Sequence, residues 1–216
     1  MIWRRLFGGG ENADTPRWIV IDTETSGLVI ERDALLAIGG VAVTADGVVP
    51  GDSFEVVVRN EAGSSKENIV VHGIGRQAQA DGIPIATAML AFAQWAGDAP
   101  AAAFHAPFDR GVLARAARIA GVPLPSRDWL DLAPLASVLN PPDPKKPPPG
   151  LDDWLERYKI DCAGRHHAAG DALATAELLL RLRLEARREG ANDFAGLVKL
   201  AKQQRWLAGS GSGGAA

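Results

Sequence analysis

Ile19-Val20-Ile21-Asp22-Thr23-Glu24-Thr25-Ser26-Gly27 is the stretch that decides how this chain is read. Its opening residues are apolar and β-branched, in a run too short for a helix, so residues 18–21 are expected to form a strand. Two acids close that strand at alternate positions, and side chains two apart on a strand point the same way. Asp22 and Glu24 therefore share a face. Such a pair can hold one hard divalent cation and leave a carboxylate to bridge to a second. An isolated Asp-x-Glu is also the ordinary solvated end of a strand, so the pair gains meaning only from what accompanies it.

Two further segments accompany it. Ala102-Ala103-Phe104-His105-Ala106-Pro107-Phe108-Asp109-Arg110 reads as a buried strand running straight into a helix. Asp109 falls in the first helical turn, where the helix dipole favours a negative charge. That placement alone fits a plain helix-start acid, and His105 reads as structural. Arg165-His166-His167-Ala168-Ala169-Gly170-Asp171 puts Asp171 early in a long helix and His166 in the loop before it. A neutral imidazole with a pKa near working pH, held beside a metal-bound water, is a natural general base. His167 reads as a solvent-exposed bystander. Taken in order, the three segments supply four carboxylates and one histidine.

Around them the pattern runs strands first, then helix and strand in alternation. Residues 34–43 and 54–58 are expected as the second and third strands, separated by the Asp46-Gly47 turn signal. Gly39-Gly40 inside the second marks a bulge or a close backbone approach. Helices are expected over residues 84–96, 107–120, 151–158, 168–189 and 193–207, with a short strand at 101–104 and a strand-then-helix over 128–139. The proline-rich stretch 141–150 lacks amide donors and has fixed φ angles, so it is an extended loop. The expected fold is α/β: a mixed sheet with helices on both faces. Residues 1–16 read as an irregular leader, 17–207 as one domain, and 208–216 as a disordered Gly/Ser-rich tail. Trp206-Leu207 reads as the end of a helix capping the domain's own core, or else as an anchor for a partner.

Composition narrows the classes. With 216 residues, 47% of them apolar, the chain can bury one substantial core. A net charge of −3 provides no global basic field of the kind a passive nucleic-acid binder carries. The single cysteine, Cys162, excludes an internal disulfide and a Cys-based zinc site, which fits a reducing cytoplasm. The leader breaks into Gly8-Gly9-Gly10 before an apolar signal region forms, and no run reaches membrane-spanning length. The haloacid dehalogenase phosphatase pattern also opens with an acid pair on a strand. It takes Asp where this chain has Glu24, and its downstream lysine and later acid pair have no clear counterpart.

Residues 20–28, 104–109 and 166–172 together resemble the DEDDh class of 3′–5′ exonucleases, in the ribonuclease-H-like superfamily. Within that class the chain is most similar to the proofreading epsilon subunit of bacterial DNA polymerase III and its stand-alone relatives. The resemblance covers roughly residues 17–185, and Val71-His72-Gly73-Ile74 resembles the family's short segment between its first two motifs. It implies a five-stranded mixed sheet, three antiparallel strands followed by parallel ones, flanked by helices. It implies that Asp22, Glu24, Asp109 and Asp171 bind two Mg²⁺ or Mn²⁺ ions and that His166 deprotonates the attacking water. Thr25, Leu28, Glu67 and His72 would touch the terminal nucleotide, with Leu28 packing on the last base. The chain departs from the pattern at Ala106, where an Asn usually follows the histidine, and at Ala37, where the second strand usually carries an acid.

The chemistry and the resemblance agree. Four converging carboxylates repel one another until divalent cations resolve the repulsion, and an oxygen-only shell selects Mg²⁺ or Mn²⁺ over zinc. The implied substrates are single-stranded or frayed 3′ ends, since a one-base pocket requires unstacking, and the resemblance favours DNA although metal chemistry at a phosphate ignores the sugar. The implied products are 5′-nucleoside monophosphates. A polymerase catalytic subunit is the implied protein partner, and no membrane is involved. Two alternatives stand beside this: an exoribonuclease of the same fold, and an inactive nucleic-acid- or polymerase-binding module. The module would be expected to have lost a metal ligand, and all five positions are filled.

Overall fold

The strand that carries the two acids lies at the centre of the sheet. In a computed structural model, which describes residues 16–162 and 165–210 (residues 204–210 by backbone only), β1 is Trp18–Thr25. It runs antiparallel to β2 (Leu35–Val43) on one side and parallel to β4 (Ala101–Ala103) on the other. β3 (Val48–Val57) pairs antiparallel with β2, and β5 (Trp129–Asp131) pairs parallel with β4, giving the order β3-β2-β1-β4-β5. The expected five-stranded mixed sheet is present. The helices are α1 (Lys66–His72), α2 (Arg76–Asp81), α3 (Ile85–Ala96), α4 (Ala106–Ala120), α5 (Leu132–Leu139), α6 (Leu151–Tyr158), α7 (Ala168–Ala186) and α8 (Phe194–Ser210).

Strand alternation divides the core. Trp18, Val20, Val41 and Val43 point to the face covered by α5 to α8, where Leu178, Leu179 and Leu182 of α7 and Leu197 of α8 meet them. Ile19, Ile21 and Ile38 point the other way, onto Met89 and Phe92 of α3 and Leu113 of α4. Asp22 and Glu24 continue the first series beyond the apolar part of the strand, so the core's own register places them on the α7 side.

Gly39 and Gly40 resolve as close approaches rather than a bulge; the register shifts of β2 and its partners fall elsewhere, at Glu24/Thr25 and Val41/Ala42. A Cβ on Gly39 would lie 2.1 Å from the Ala168 carbonyl carbon in α7, and one on Gly40 would lie 2.6 Å from the Trp95 ring of α3. The two glycines thus admit one helix on each face.

Four differences from the sequence reading have physical causes. β3 starts at Val48 rather than 54, because an edge strand tolerates Pro50 and Gly51 where an inner strand does not. α1 and α2 have too few apolar positions to show a helical period, although Ser65 caps the first by accepting from the Asn68 amide and Gly73 ends it in the left-handed region. α7 stops at Ala186 and continues only as a 3₁₀ turn, Arg187–Glu189. α8 continues to Ser210, into the stretch read as tail. Most of the expected leader and tail, and the side chains of Trp206 and Leu207, lie outside the described residues. The stretch 141–150 forms no helix or strand, and no described helix is long and apolar enough to cross a membrane.

Candidate active site

Carboxylates from three elements converge at the C-terminal end of β1. One oxygen from each of Asp22, Glu24 and Asp171 lies within 4.8 Å of the others. Asp22 faces Gly39 across the β1–β2 ladder, and Gly39 is where the first turn of α7 touches the sheet. That contact brings Asp171 to the strand pair. Glu24 faces Ala37, which packs with Ala168 and Ile74, so a small residue seats the same helix at the next position along.

Asp109 reaches the site from the opposite face. It lies in the first turn of α4, 4% exposed, and its Oδ1 accepts a 2.8 Å hydrogen bond from Thr23 Oγ1. Thr23 stands between the two strand acids and points away from them, so one strand end holds Asp22 and Glu24 on one side and tethers Asp109 on the other. Asp109 stands outside the three-carboxylate group but close enough that its charge acts on Asp22.

Burial and mutual repulsion dominate the electrostatics. Burial holds the Asp22 carboxyl well above the usual range, and the charges of Asp109, Glu24 and Asp171 add to it while Arg165 opposes. Glu24 is raised by burial and then by Asp171, against His167 and Arg165. Burial pushes Asp109 up to about 7 despite the Thr23 hydrogen bond. Oxygen donors in a confined space that resist ionisation on their own are the donor set a hard dication suits. The residues present therefore fit a divalent metal.

His166 adopts a left-handed backbone with φ 62°, and its amide donates to Asp171 Oδ2 at 3.0 Å. The turn thereby holds the carboxylate while the imidazole stays exposed beside Asp152. His167 pairs through Nε2 with Glu55 Oε1 of β3 at 3.1 Å. Arg165 bridges Asp171 and Asp152 of α6, and the Cys162 thiol donates to Asp171 Oδ1 at 3.6 Å.

The remaining sequence-predicted residues are placed unequally. Leu28 is 85% exposed beyond the end of β1, and Glu67 is exposed in the first turn of α1. Thr25 is buried and its hydroxyl donates to the Gly27 carbonyl at 2.6 Å, which shapes the turn below Leu28. His72 is only 2% exposed. Its Nδ1 accepts from the Ile74 amide, which fixes Nε2–H toward Ser64 Oγ at 3.1 Å, so both ring nitrogens are engaged inside the protein. Thr23, Arg165, Asp152 and Asp131 were not singled out in the sequence. Asp131 carried the one usable signal, an acid closing an apolar strand as Asp22 does.

The RNase T exonuclease family model matches residues 19–179. A DNA polymerase III subunit epsilon-like protein of Rhodobacter capsulatus is 30% identical over 199 residues, covering 88% of this chain and 28% of that protein. A PolC-type DNA polymerase III of Latilactobacillus sakei is 26% identical over 207 residues, 89% of this chain and 13% of that one. The chain thus spans less than a third of either relative. Among solved structures, Exonuclease X in complex with 5′ overhanging duplex DNA superposes with a TM-score of 0.65 at 22% identity, covering 85% of this chain and 99% of that one. E. coli Exonuclease I in complex with a dT13 oligonucleotide gives 0.68 at 15% identity, over 80% and 42%. These two likenesses show the fold.

Proposed function

Because this chain belongs to the RNase T exonuclease family, we propose that it is a metal-dependent 3′–5′ exonuclease releasing 5′-nucleoside monophosphates from unpaired DNA ends. The observation that carries the reading is the convergence of Asp22, Glu24 and Asp171 within 4.8 Å, with Asp109 held beside them by Thr23. These four carboxylates would hold two Mg²⁺ or Mn²⁺ ions. When bound, the pair of ions supplies charge stabilisation at the phosphate and a water of lowered pKa.

The chain's own residues do the rest. Asp22 and Glu24 present their oxygens from one rigid strand, so their separation is fixed before any ligand arrives. Asp109 and Asp171 enter from the first turns of two helices, on opposite faces of that strand. His166, with its amide spent on Asp171 and its imidazole exposed at the lip, accepts the proton of the attacking water. Leu28 offers an exposed apolar side chain on which a terminal base stacks. DNA is favoured because one relative's name is that of a polymerase III subunit epsilon-like protein and both superposed structures are DNA complexes. The same names point to a polymerase catalytic subunit as partner, which co-purification with that subunit tests.

The activity test is a gel time course on 5′-labelled single-stranded DNA beside the matching RNA, with Mg²⁺ or Mn²⁺. A ladder shortening from the 3′ end and abolished by Asp22→Ala is expected, with DNA cut faster. Intact DNA from folded protein with either metal would overturn the activity; faster RNA cleavage would overturn the substrate class.

A further inference from the structure

We infer that Asp131 is the positioning residue that sets where Asp109 stands, by clamping the turn that launches α4. The inference rests on the site reading above and concerns a residue outside its metal-binding set. Asp131 is the last residue of β5, and β5 is paired in parallel with β4, the strand that leads into α4. Its Oδ1 accepts from the His105 amide at 3.0 Å and from the Ala133 amide at 3.2 Å. One carboxyl thus caps its own helix, α5, and holds the amide of the residue that opens α4.

That turn needs a clamp. His105 sits in the left-handed region at φ 62°, a conformation that a residue with a Cβ adopts only when its surroundings impose it. His105 is also the N-cap of α4, and its side chain makes no capping hydrogen bond. The Asp131 carboxyl therefore takes, from another element, the N-cap amide that the acid of a capping box would take from within the helix. Asp109 follows four residues later, one turn along, so the angle at which α4 leaves β4 fixes the direction of its carboxylate. Thr23 fixes the far end of that carboxylate at 2.8 Å. Between the Asp131 clamp and the Thr23 hydroxyl, Asp109 has little freedom. Asp131 itself, with Oδ1 spent on two amides, supplies no oxygen to the three-carboxylate group.

Three substitutions separate this role from simple helix capping. Asp131→Asn keeps an oxygen in the same place and so keeps the clamp. Asp131→Ser keeps a good N-cap for α5 but has a side chain too short to reach the His105 amide as well. Asp131→Ala loses both. Mn²⁺ binding by calorimetry, kcat and KM on a single-stranded oligonucleotide, and thermal melting are measured on each, with Asp22→Ala alongside. Asn is expected to stay within about threefold of wild type in Mn²⁺ affinity and kcat. Ser is expected to melt close to wild type yet lose roughly 10- to 100-fold in Mn²⁺ affinity or kcat, the range typical of losing a residue that orients a ligand. KM should change less than kcat, because Asp131 acts through the position of Asp109. Wild-type Mn²⁺ affinity together with wild-type kcat in the Ser variant would leave only a capping role and overturn the inference. So would an Asn variant as impaired as Ala, which would place the effect in the charge rather than the hydrogen bonds. Full activity and Mn²⁺ binding in Asp22→Ala would instead sink the site reading, and the inference with it.

Discussion

Gly39→Ala tests the construction of the site without touching any of its ligands. A methyl group there would lie 2.1 Å from the carbonyl carbon of Ala168, 2.2 Å from its oxygen and 2.3 Å from the amide nitrogen of Ala169. All three are backbone atoms of the first turn of α7, so no side chain can rotate away. Since carbon contacts become comfortable only near 3.5 Å, the helix start must withdraw by roughly 1.4 Å. Asp171 moves with it, away from Asp22 and Glu24. Mg²⁺ takes its oxygens at about 2.0–2.1 Å in near-ideal octahedral geometry, so a shift of that size removes a ligand rather than stretching a bond. Misplacement by ~1 Å at a reacting centre costs on the order of 100-fold in rate. Overpacking itself costs about 1–3 kcal/mol of stability. The expected variant folds, melts several degrees lower, binds Mn²⁺ much more weakly in calorimetry and cuts DNA at about 1% of the wild-type rate. Gly51→Ala is the control: it lies in β3, and a Cβ there meets nothing within 4 Å, so it should leave rate and affinity unchanged. A Gly39→Ala protein with wild-type Mn²⁺ affinity would refute the claim that this glycine seats α7 at the proposed metal ligands.

Thr23→Val, nearly isosteric, leaves the buried Asp109 without its 2.8 Å donor and should cost about 1–3 kcal/mol in urea unfolding, with a parallel drop in cleavage rate. The pH dependence follows from the burial that raises Asp109 to about 7. Below its pKa the native carboxyl keeps a proton that the unfolded chain releases from about pH 4, so the chelated protein should lose stability as pH climbs from about 4 to 7. Asp109→Asn should flatten that slope in thermal melts and saturating Mg²⁺ should shift it; a wild-type slope equal to that of the Asn variant would count against the assignment. Arg165→Ala removes the guanidinium paired with Asp171 and should tighten Mn²⁺ binding by up to about fivefold, the ~1 kcal/mol ceiling for a partly exposed pair. Weaker binding would show instead that Arg165 helps to hold the site open. His105→Gly should preserve the left-handed turn and the melting temperature, whereas His105→Val should cost about 1–2 kcal/mol.

The part of the site carried by β1 was legible because a strand's period of two is strict. Once Ile19 and Ile21 belong to one core and Val20 to the other, the side on which Asp22 and Glu24 stand is fixed. Asp109 and Asp171 were legible as first-turn acids, since each follows a clear helix start. What the sequence withheld is whatever depends on a second element. Gly39-Gly40 announced a close approach without saying which helix arrives on which face. Asp131 looks like a strand-end acid until β4 and β5 are placed side by side. Arg165 carries no local signal, because its partners come from α6 and α7. His72 lies in a motif-like segment, and only the fold reveals that its ring is enclosed by Ser64 and Ile74.

The two helices that bring acids to β1 are introduced in the same unusual way. Each is preceded by a histidine in the left-handed region, His105 and His166, both with φ 62°. In each case the strained residue's amide donates at 3.0 Å to an aspartate: His105 to Asp131, His166 to Asp171. A left-handed residue turns the chain sharply, so a helix can begin almost at the sheet edge and present its first-turn acid toward the strand end instead of out to solvent. The conformation is unfavourable for a side chain bearing a Cβ, and the amide–carboxylate bond offsets that cost where the charge is least solvated. The two turns differ in what the carboxylate does next. Asp171 is itself a member of the acidic group, so at His166 the turn and the ligand brace each other directly. Asp131 stands one step back, so at His105 the brace acts through the helix start on Asp109. The site therefore has one directly braced helical acid and one braced at a remove, and the second depends on Asp131, which stands outside the three-carboxylate group.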